Sequence, residues 1–488
     1  MGPTRQSSSA YQSLGLILLG LVFLPFNLYI LLSSYVLQVL SPFARARRGK
    51  ILFPRRVLLS GVNNAVGLAL ARNLYLRGHY VVGADYEKYG LPGTGRWSKS
   101  IRQFYKVPGP SAKLGTADYM HGLLEIVKKE EIEIFISCAA FTTPGEDAIT
   151  KSVIEKLTDC KCVAFDSETT AQLANKASFM ELAKSIGLKV PEIHSVTSRD
   201  QIHKLLGSAK KREASFTLTK ARLNKPRIDA SDNSLLPRRT ASQTYQFVSQ
   251  VSVSADDPYV LEEHVTGEEY SSFVLMMGGF IEAFVACLEP QGTHIIRLET
   301  ASPLYYALLR LTKQLTTGLP EDFSGPLTFH FRVQMLLTTS GFEKRLVPRT
   351  CIPKIGLSSL LLDSYSRNSI TDVQRSNGAL RTTGKSDAMF NSQGNQNVYW
   401  IATDYLNLVL LPAYDLVRRR KGLHELWRSS KEFIEHVLFW KEAMFVLWDP
   451  FPTFWQYSVY WPTRIALAAI NNEEWNVLDE TTNELRYD

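Results

Sequence analysis

The sequence has no internal repeat, few cysteines, and no charged residue anywhere in 14–40. Five cysteines, Cys138, Cys160, Cys162, Cys287 and Cys351, form an odd and scattered set. Cys160 and Cys162 lack the roughly two-to-four-residue gap of a zinc knuckle, and no histidine pair accompanies them. That excludes a zinc module and a disulfide scaffold, and it fits burial in a reducing compartment. A chain-wide excess of positive charge is also missing. The net charge is +8, but Arg45, Arg47, Arg48, Lys50, Arg55 and Arg56 crowd one stretch, and taking these six away leaves +2. No nucleic-acid footprint remains, so nucleic acid is not an expected partner.

What is present begins with that uncharged stretch, LGLILLGLVFLPFNLYILLSSYVLQVL. A bilayer core takes about 20 apolar residues in a helix. FARARR follows in place of a cleavage site, so residues 14–40 are expected to be a retained, single-pass transmembrane helix. The basic residues after it place the bulk of the chain in the cytoplasm. Pro25 and Asn27 leave a re-entrant or interfacial helix as the alternative.

Residues 57–85, VLLSGVNNAVGLALARNLYLRGHYVVGAD, read as strand, turn, helix and strand ending in an acid. A dinucleotide turn needs G-x-G-x-x-G, and this one has glycine only at Gly61 and Gly67. Asn63 stands where the backbone must approach a pyrophosphate. No tyrosine has a lysine four residues on, so the proton-transfer pair of short-chain dehydrogenases is missing too. The expectation is a Rossmann-like half-sheet without cofactor; a nicotinamide oxidoreductase rests on residues 57–85 alone.

Further on, EIFISCAA and KCVAFD continue a β/α alternation, which implies a parallel sheet covered by helices. Residues 168–191 read as two helical pieces closed by Gly187 and Pro191. SFTLTK and YVLEEHVTGEEYSSFVLMMGGFIEAFVACLE are β-rich, residues 221–245 read as a polar flap, 303–317 as a helix, and LTFHFRVQMLLTTSGFEKRLVPR as a hairpin. Residues 364–396, rich in Ser, Asn, Gly, Thr and Gln, read as a disordered loop. The aromatic stretch 397–470 reads as packed helices. RRRK at 418–421 reads as a solvated helix face.

In VLEEHVTGEEY, Glu262 and Glu269 flank Gly267 across a turn from strand to strand. Carboxylates there suit an adenosine, with Lys176 and Lys220 upstream for phosphates; an ordinary hairpin with solvated acids is the plain alternative. The order of segments resembles the ATP-grasp superfamily with its preceding Rossmann-like domain. NKASFMELAKSIGLKVP resembles the family's Asp-Lys helix and Gly-x-x-x-Pro turn, SFTLTK its lysine strand, and VLEEHVTGEEY its adenosine hinge. DYEKYGLPGTGRWSKSIRQFYKVPGP, YMHGLLEIVKKEEIEIFISC and AMFVLWDPFPTFWQYSVYWP are similar to the cyclohexenone–amino acid ligases of mycosporine biosynthesis and their fungal relatives.

An α/β chain with five parts is expected: a membrane anchor and basic stretch (1–50), a Rossmann-like pre-ATP-grasp domain (51–165), a two-lobed α+β ATP-grasp domain (166–363), the loop (364–396), and a helical C-terminal extension (397–488); the resemblance, over roughly 56–478, implies the two ATP-grasp-type domains. It implies ATP and Mg2+ as cofactors. Glu262 would meet adenine, Glu269 the ribose, Lys176 and Lys220 the phosphates, and Arg349 would serve catalysis; with one residue of gap Thr219 takes the place of Lys220. ATP would phosphorylate a carboxylate or enol oxygen, and an amine would displace the phosphate to form a C–N bond. The partners would be a small-molecule acid or enol and an amine.

The chain departs from that pattern at the metal. GPLTFHFR puts His330 where the family has an aspartate, and RLVPR puts Arg345 and Val347 where it has glutamate and asparagine. Magnesium takes oxygen ligands, and these three side chains supply none. Glu343 would substitute only with a two-residue shift of register. Asn175 replaces the family's aspartate before Lys176. A relative that binds without turnover is therefore the alternative to an active ligase.

Overall fold

Short buried strands alternate with helices from residue 56 to residue 162 of the computed structural model. The structure describes residues 10–471, apart from 47, 50–52, 110–116, 211–214, 221–234, 255–258, 289–293, 320–323, 339–340, 363–372, 377–378, 383–393, 395 and 421. The chain opens with α1 (Ala10–Leu40). Then come β1 (Arg56–Ser60), α2 (Ala65–Leu76), β2 (Tyr80–Tyr86), β3 (Gln103–Val107), α3 (Ala117–Lys129), β4 (Ile134–Ser137), α4 (Pro144–Leu157) and β5 (Lys161–Cys162). The five strands are all parallel, in the order β3-β2-β1-β4-β5. Order reverses beside β1, because the crossover through α2 runs to one side and the later one to the other. β3 is a strand that the sequence pattern does not announce. It lies at the sheet edge, and in QFYKV only Val107 is fully buried, so it has no continuous apolar run.

α5 (Ser167–Ala174) and α6 (Lys176–Ser185) are the two helical pieces expected over 168–191. They lead into β6 (Ile193–Val196), α7 (Arg199–Lys210), β7 (Phe216–Lys220), β8 (Leu235–Leu236), α8 (Ala241–Gln250) and β9 (Tyr259–Glu263). Their sheet has the order β6-β9-β7-β8. The part of the expected flap at 221–234 lies outside the described residues; 235–245 hold β8 and the start of α8. A second antiparallel sheet, β11-β10-β13-β14, is built from β10 (Glu268–Met277), β11 (Phe280–Leu288), β13 (Gly325–Thr338) and β14 (Gly341–Ile352). β12 (His294–Ile295) and α9 (Pro303–Thr317) lie between them in the chain. Phe179, Met180, Tyr305 and Leu308 of α6 and α9 pack on one face of this sheet. Its other face, through Phe273, Leu275 and Val285, joins the core under α2.

Within 364–396 the described residues include a hairpin, β15 (Val373–Ser376) with β16 (Ala379–Thr382); much of the expected loop lies outside them. The C-terminal part holds β17 (Val398–Tyr399), then α10 (Ile401–Asp404) and α11 (Leu411–Val417) joined by a π-helical stretch. α12 (Leu423–Phe439), β18 (Lys441–Glu442), α13 (Phe451–Trp455), a second π-helical stretch and α14 (Trp461–Ile470) complete it.

The expected transmembrane helix is not shown: among the described residues no helix is long and apolar enough to cross a membrane. α1 is instead docked from residue 24 onward by its polar residues. Asn27 Nδ2 donates to Ser458 Oγ at 3.0 Å, and Gln38 Nε2 donates to the Leu447 carbonyl at 2.6 Å.

Candidate functional site

β9 and β10 are consecutive strands that belong to different sheets. The five residues between Glu263 and Glu269 carry the chain from one to the other, and Gly267 makes that possible. Its φ is +149°, and a Cβ on it would stand 2.1 Å from the Val333 carbonyl oxygen. The bend therefore brings Glu262, inside β9 opposite Ile193 and Thr217, close to Glu269 at the start of β10.

Each carboxylate is met by cations. Lys176 Nζ lies 2.5 Å from Glu262 Oε2. Asn175 explains why Lys176 points there: its side chain accepts from the Ala177 and Ser178 amides and so starts α6 at Lys176. Asparagine caps a helix as well as aspartate does, so this departure from the family pattern leaves the local geometry intact. Glu269 Oε1 accepts from both Arg332 Nη2 and Arg349 Nη1. Arg332 is Glu269's register partner on β13, and its Nη1 also donates to the Val265 carbonyl. The structure thus brings Lys176, Glu262, Glu269 and Arg349 into one cluster, and adds Arg332, which sequence reasoning missed. Its signal was alternation on β13: Arg332 lies two residues from His330, on the same face. The side chain of Lys220, at the end of β7, lies outside the described residues.

Three cations against two carboxylates leave one positive charge in excess. Burial lowers the Lys176 pKa, against the pull of Glu262. Burial lowers that of Arg332 to about 10, with the neighbouring Arg349 adding to the effect. His264 is lowered by burial and then by both guanidiniums, so it stays neutral. Arg332 Nε and Arg345 Nε are buried with no hydrogen-bond partner among the described residues. An anion would relieve the repulsion between the arginines.

Magnesium does not fit. His330 sits in register between Ser271 and Thr350, and Val347 opposite Arg332 is buried. The carboxylates of the cluster, Glu262 and Glu269, are already neutralised by an ammonium and two guanidiniums. Among the described residues no three His, Cys, Asp or Glu side chains gather as metal ligands. The Glu343 side chain lies outside the described residues.

The turn after β1 is filled from within. Asp85, the acid that would hold a ribose, is buried and accepts from the Asn63 amide at 2.7 Å and the Tyr86 amide at 2.7 Å. Desolvation dominates those two hydrogen bonds and raises its pKa to about 7. Asn63 Oδ1 accepts from the Gly95 amide, and a Cβ on Gly93 would stand 2.2 Å from the Asn63 side chain. Asn64 caps α2 through the Gly67 amide and donates to the Cys138 carbonyl. Gly61 is there for packing, since its Cβ would meet Cys138 and Ala139 backbone atoms at 2.4 Å. Asp85, Asn63 and Asn64, the side chains that would face a dinucleotide at this turn, are thus engaged within the protein. The crevice beside it is closed as well. Lys354 Nζ bonds Asp147 Oδ2 at 3.0 Å and Thr142 Oγ1 at 2.8 Å, leaving a cavity of about 10 Å3 lined by Ser137, Asp147 and Lys354.

The WDPFP segment ties the two ends of the fold together. Asp449, fully buried, accepts from Arg72 Nε (2.9 Å), Ser98 Oγ (2.6 Å) and the Lys99 amide (2.9 Å). Arg72 also donates to the Met444 and Asp449 carbonyls. Of the block's aromatics Tyr457 and Trp461 are buried and Trp448, Phe451, Phe454, Trp455 and Tyr460 half-buried, and its aspartate is a strut.

No family model matches the chain, and no curated protein matches its sequence. The chain is similar to several solved structures. One is N5-carboxyaminoimidazole synthetase from Staphylococcus aureus complexed with ADP, with TM-score 0.44 and 14% identity over 64% of this chain and 74% of that one. Another is the biotin carboxylase domain of a single-chain bacterial carboxylase, with TM-score 0.45 and 14% identity over 63% of each chain. A third is the L-amino acid ligase from Bacillus licheniformis, with TM-score 0.42 and 11% identity over 63% of this chain and 68% of that one.

Proposed function

We propose that this chain is a membrane-tethered ATP-grasp-type protein, related to the mycosporine-type ligases, that holds a nucleotide at the bend between β9 and β10. The observation that carries the reading is the cluster of Lys176–Glu262 and Arg332–Glu269–Arg349 where the chain passes between the two sheets. Glu262 and Glu269 are the adenosine-side acceptors, and Lys176, Arg332 and Arg349 take the place of a protein-held metal in neutralising phosphates. In the ligase form of this reading, ATP gives its terminal phosphoryl group to a carboxylate or enol oxygen, releasing ADP. An amine nitrogen then forms the C–N bond as the phosphate leaves, and positioning plus electrostatics carry the rate. The second reading, nucleotide binding without turnover, is favoured by His330 and Val347, which offer no oxygen to a metal.

The tether rests on α1. Leu28, Leu32, Val36 and Leu40 are exposed along one side, while Asn27, Ser34 and Gln38 face the protein. A helix with its polar residues inward and apolar ones outward suits hydrocarbon.

The test is binding of a fluorescent ATP analogue to the full chain, with magnesium and with EDTA. Equal affinity in both, weakened tenfold or more by Arg349→Ala and by Lys176→Ala, is expected (roughly 1.4 kcal/mol or more). No binding, or binding indifferent to both substitutions, overturns the reading. ADP release with mixtures of acids or cyclohexenones and amines separates the ligase from the binder.

A further inference from the structure

α12 has apolar side chains on two opposite sides, and only one of them packs against other described residues. Its inner side is fixed by His436, which is buried, lies 2.6 Å from Asp404 Oδ2 through Nδ1, and stacks on Trp440 at 3.8 Å. Phe433 packs edge-on against Tyr405 on the same side. Leu423, Trp427, Ile434 and Leu438 are 72%, 74%, 56% and 68% exposed. At about 100° per residue their spacing gathers them within roughly 60° of arc, opposite His436. Exposed Tyr414 and Val417 end the preceding helix α11.

Charge says what covers this stripe. Residues 411–439 hold six basic and four acidic side chains; the excess comes from the run at 418–421, while α12 itself carries Arg428 and Lys431 against Glu425, Glu432 and Glu435. Arg418, Arg419 and Arg420, in the turn leading to α12, are exposed, as are Arg428 and Lys431 beside the stripe. A second copy would be a poor occupant. Lys431 flanks the stripe near its mid-length, so a two-fold axis there would bring it toward its own mate.

We propose that α12 is an interfacial membrane helix, lying flat on an anionic lipid surface. Leu423, Trp427, Ile434 and Leu438 enter the headgroup–acyl boundary, and the five arginine and lysine side chains meet lipid phosphates. Trp427 is the residue type that anchors at that depth. This deepens the membrane reading given for α1 but stands on separate residues. A tethered chain needs little intrinsic affinity here, because the surface is already at high effective concentration.

All five native cysteines are buried, so an introduced one takes a fluorophore selectively. The full chain is reconstituted in nanodiscs of phosphatidylcholine alone or with about 30% phosphatidylserine. An environment-sensitive probe is placed on Leu438→Cys, on Glu432→Cys, or on Val36→Cys. Expected is quenching of the Leu438→Cys probe by doxyl lipids in the anionic discs, at least about twice that of the Glu432→Cys probe and roughly halved by high salt. The pair Leu423→Glu and Ile434→Glu should abolish it. A Leu438→Cys probe that stays aqueous on anionic discs overturns the proposal, as does one shielded equally without lipid, which would mean that another segment or a second copy covers the stripe. The Val36→Cys probe reports the tether alone: if it is unquenched while Leu438→Cys is quenched, the tether reading falls and α12 stands.

Discussion

At the scale of single residues, the buried ions are where substitutions should act most strongly. Arg72 and Asp449 are both almost wholly out of solvent and satisfy each other. Asp449→Ala would leave a guanidinium buried and unpaired, at a cost of about 3–5 kcal/mol. A fall in the urea midpoint at neutral pH checks this. Asp85 makes a different prediction. Its folded pKa, about 7, lies above the ordinary value of 3.8, so the folded state holds the proton more tightly. Its contribution is complete below about pH 4 and is lost as pH rises toward 7, to a total of about 4 kcal/mol. Asp85→Asn removes that slope. It should be the less stable protein at pH 4, having one acceptor oxygen for two amides, and should lose less stability than the native chain up to pH 7. Parallel stability curves for the two proteins would show that the carboxyl does not titrate there. None of this was legible in the sequence. Asp85 looked like a ribose ligand because its spacing is right, and only the loop at Gly93–Gly95, folding back over Asn63, turns it into an internal acceptor.

At the scale of elements, periodicity carried most of the fold. α9 spans residues 303–317, as its apolar spacing implies, and the alternation over β13 and β14 marks a hairpin. What failed were pieces whose stability is not local. β3 is a short edge strand with little apolar signal, and β15–β16 is a hairpin of polar residues in a stretch whose composition reads as loop. The cluster at the bend was legible as residues but not as ion pairs. Glu262, Glu269, Lys176 and Arg349 were identifiable, yet Arg332 enters only through the β10–β13 register. Gly267 is the element-scale test. Gly267→Ala puts a Cβ against the Val333 carbonyl, so it should cost about 2 kcal/mol or more in unfolding experiments. On the proposed reading it should also weaken binding of the ATP analogue, because the bend would no longer hold the two carboxylates together.

At the scale of the whole molecule, the first and last helices support each other. α1 donates through Asn27 and Gln38 to residues 458 and 447, and Lys99 Nζ in turn donates to Gln38 Oε1. Removing residues 1–40 should therefore loosen the C-terminal block rather than release an unperturbed remainder. Faster hydrogen exchange over 447–461, with 117–157 unchanged, is the expected pattern; equal protection would show that α1 is only appended.

The bond from Arg72 to Asp449 also sets a clock on biosynthesis. The two partners are 377 positions apart in sequence. A ribosome adding about 5–20 residues per second needs roughly 20–75 s to supply the second after the first. Throughout that interval Arg72 is without Asp449, and the link between the parallel sheet and the WDPFP segment forms only after residue 449 has been made.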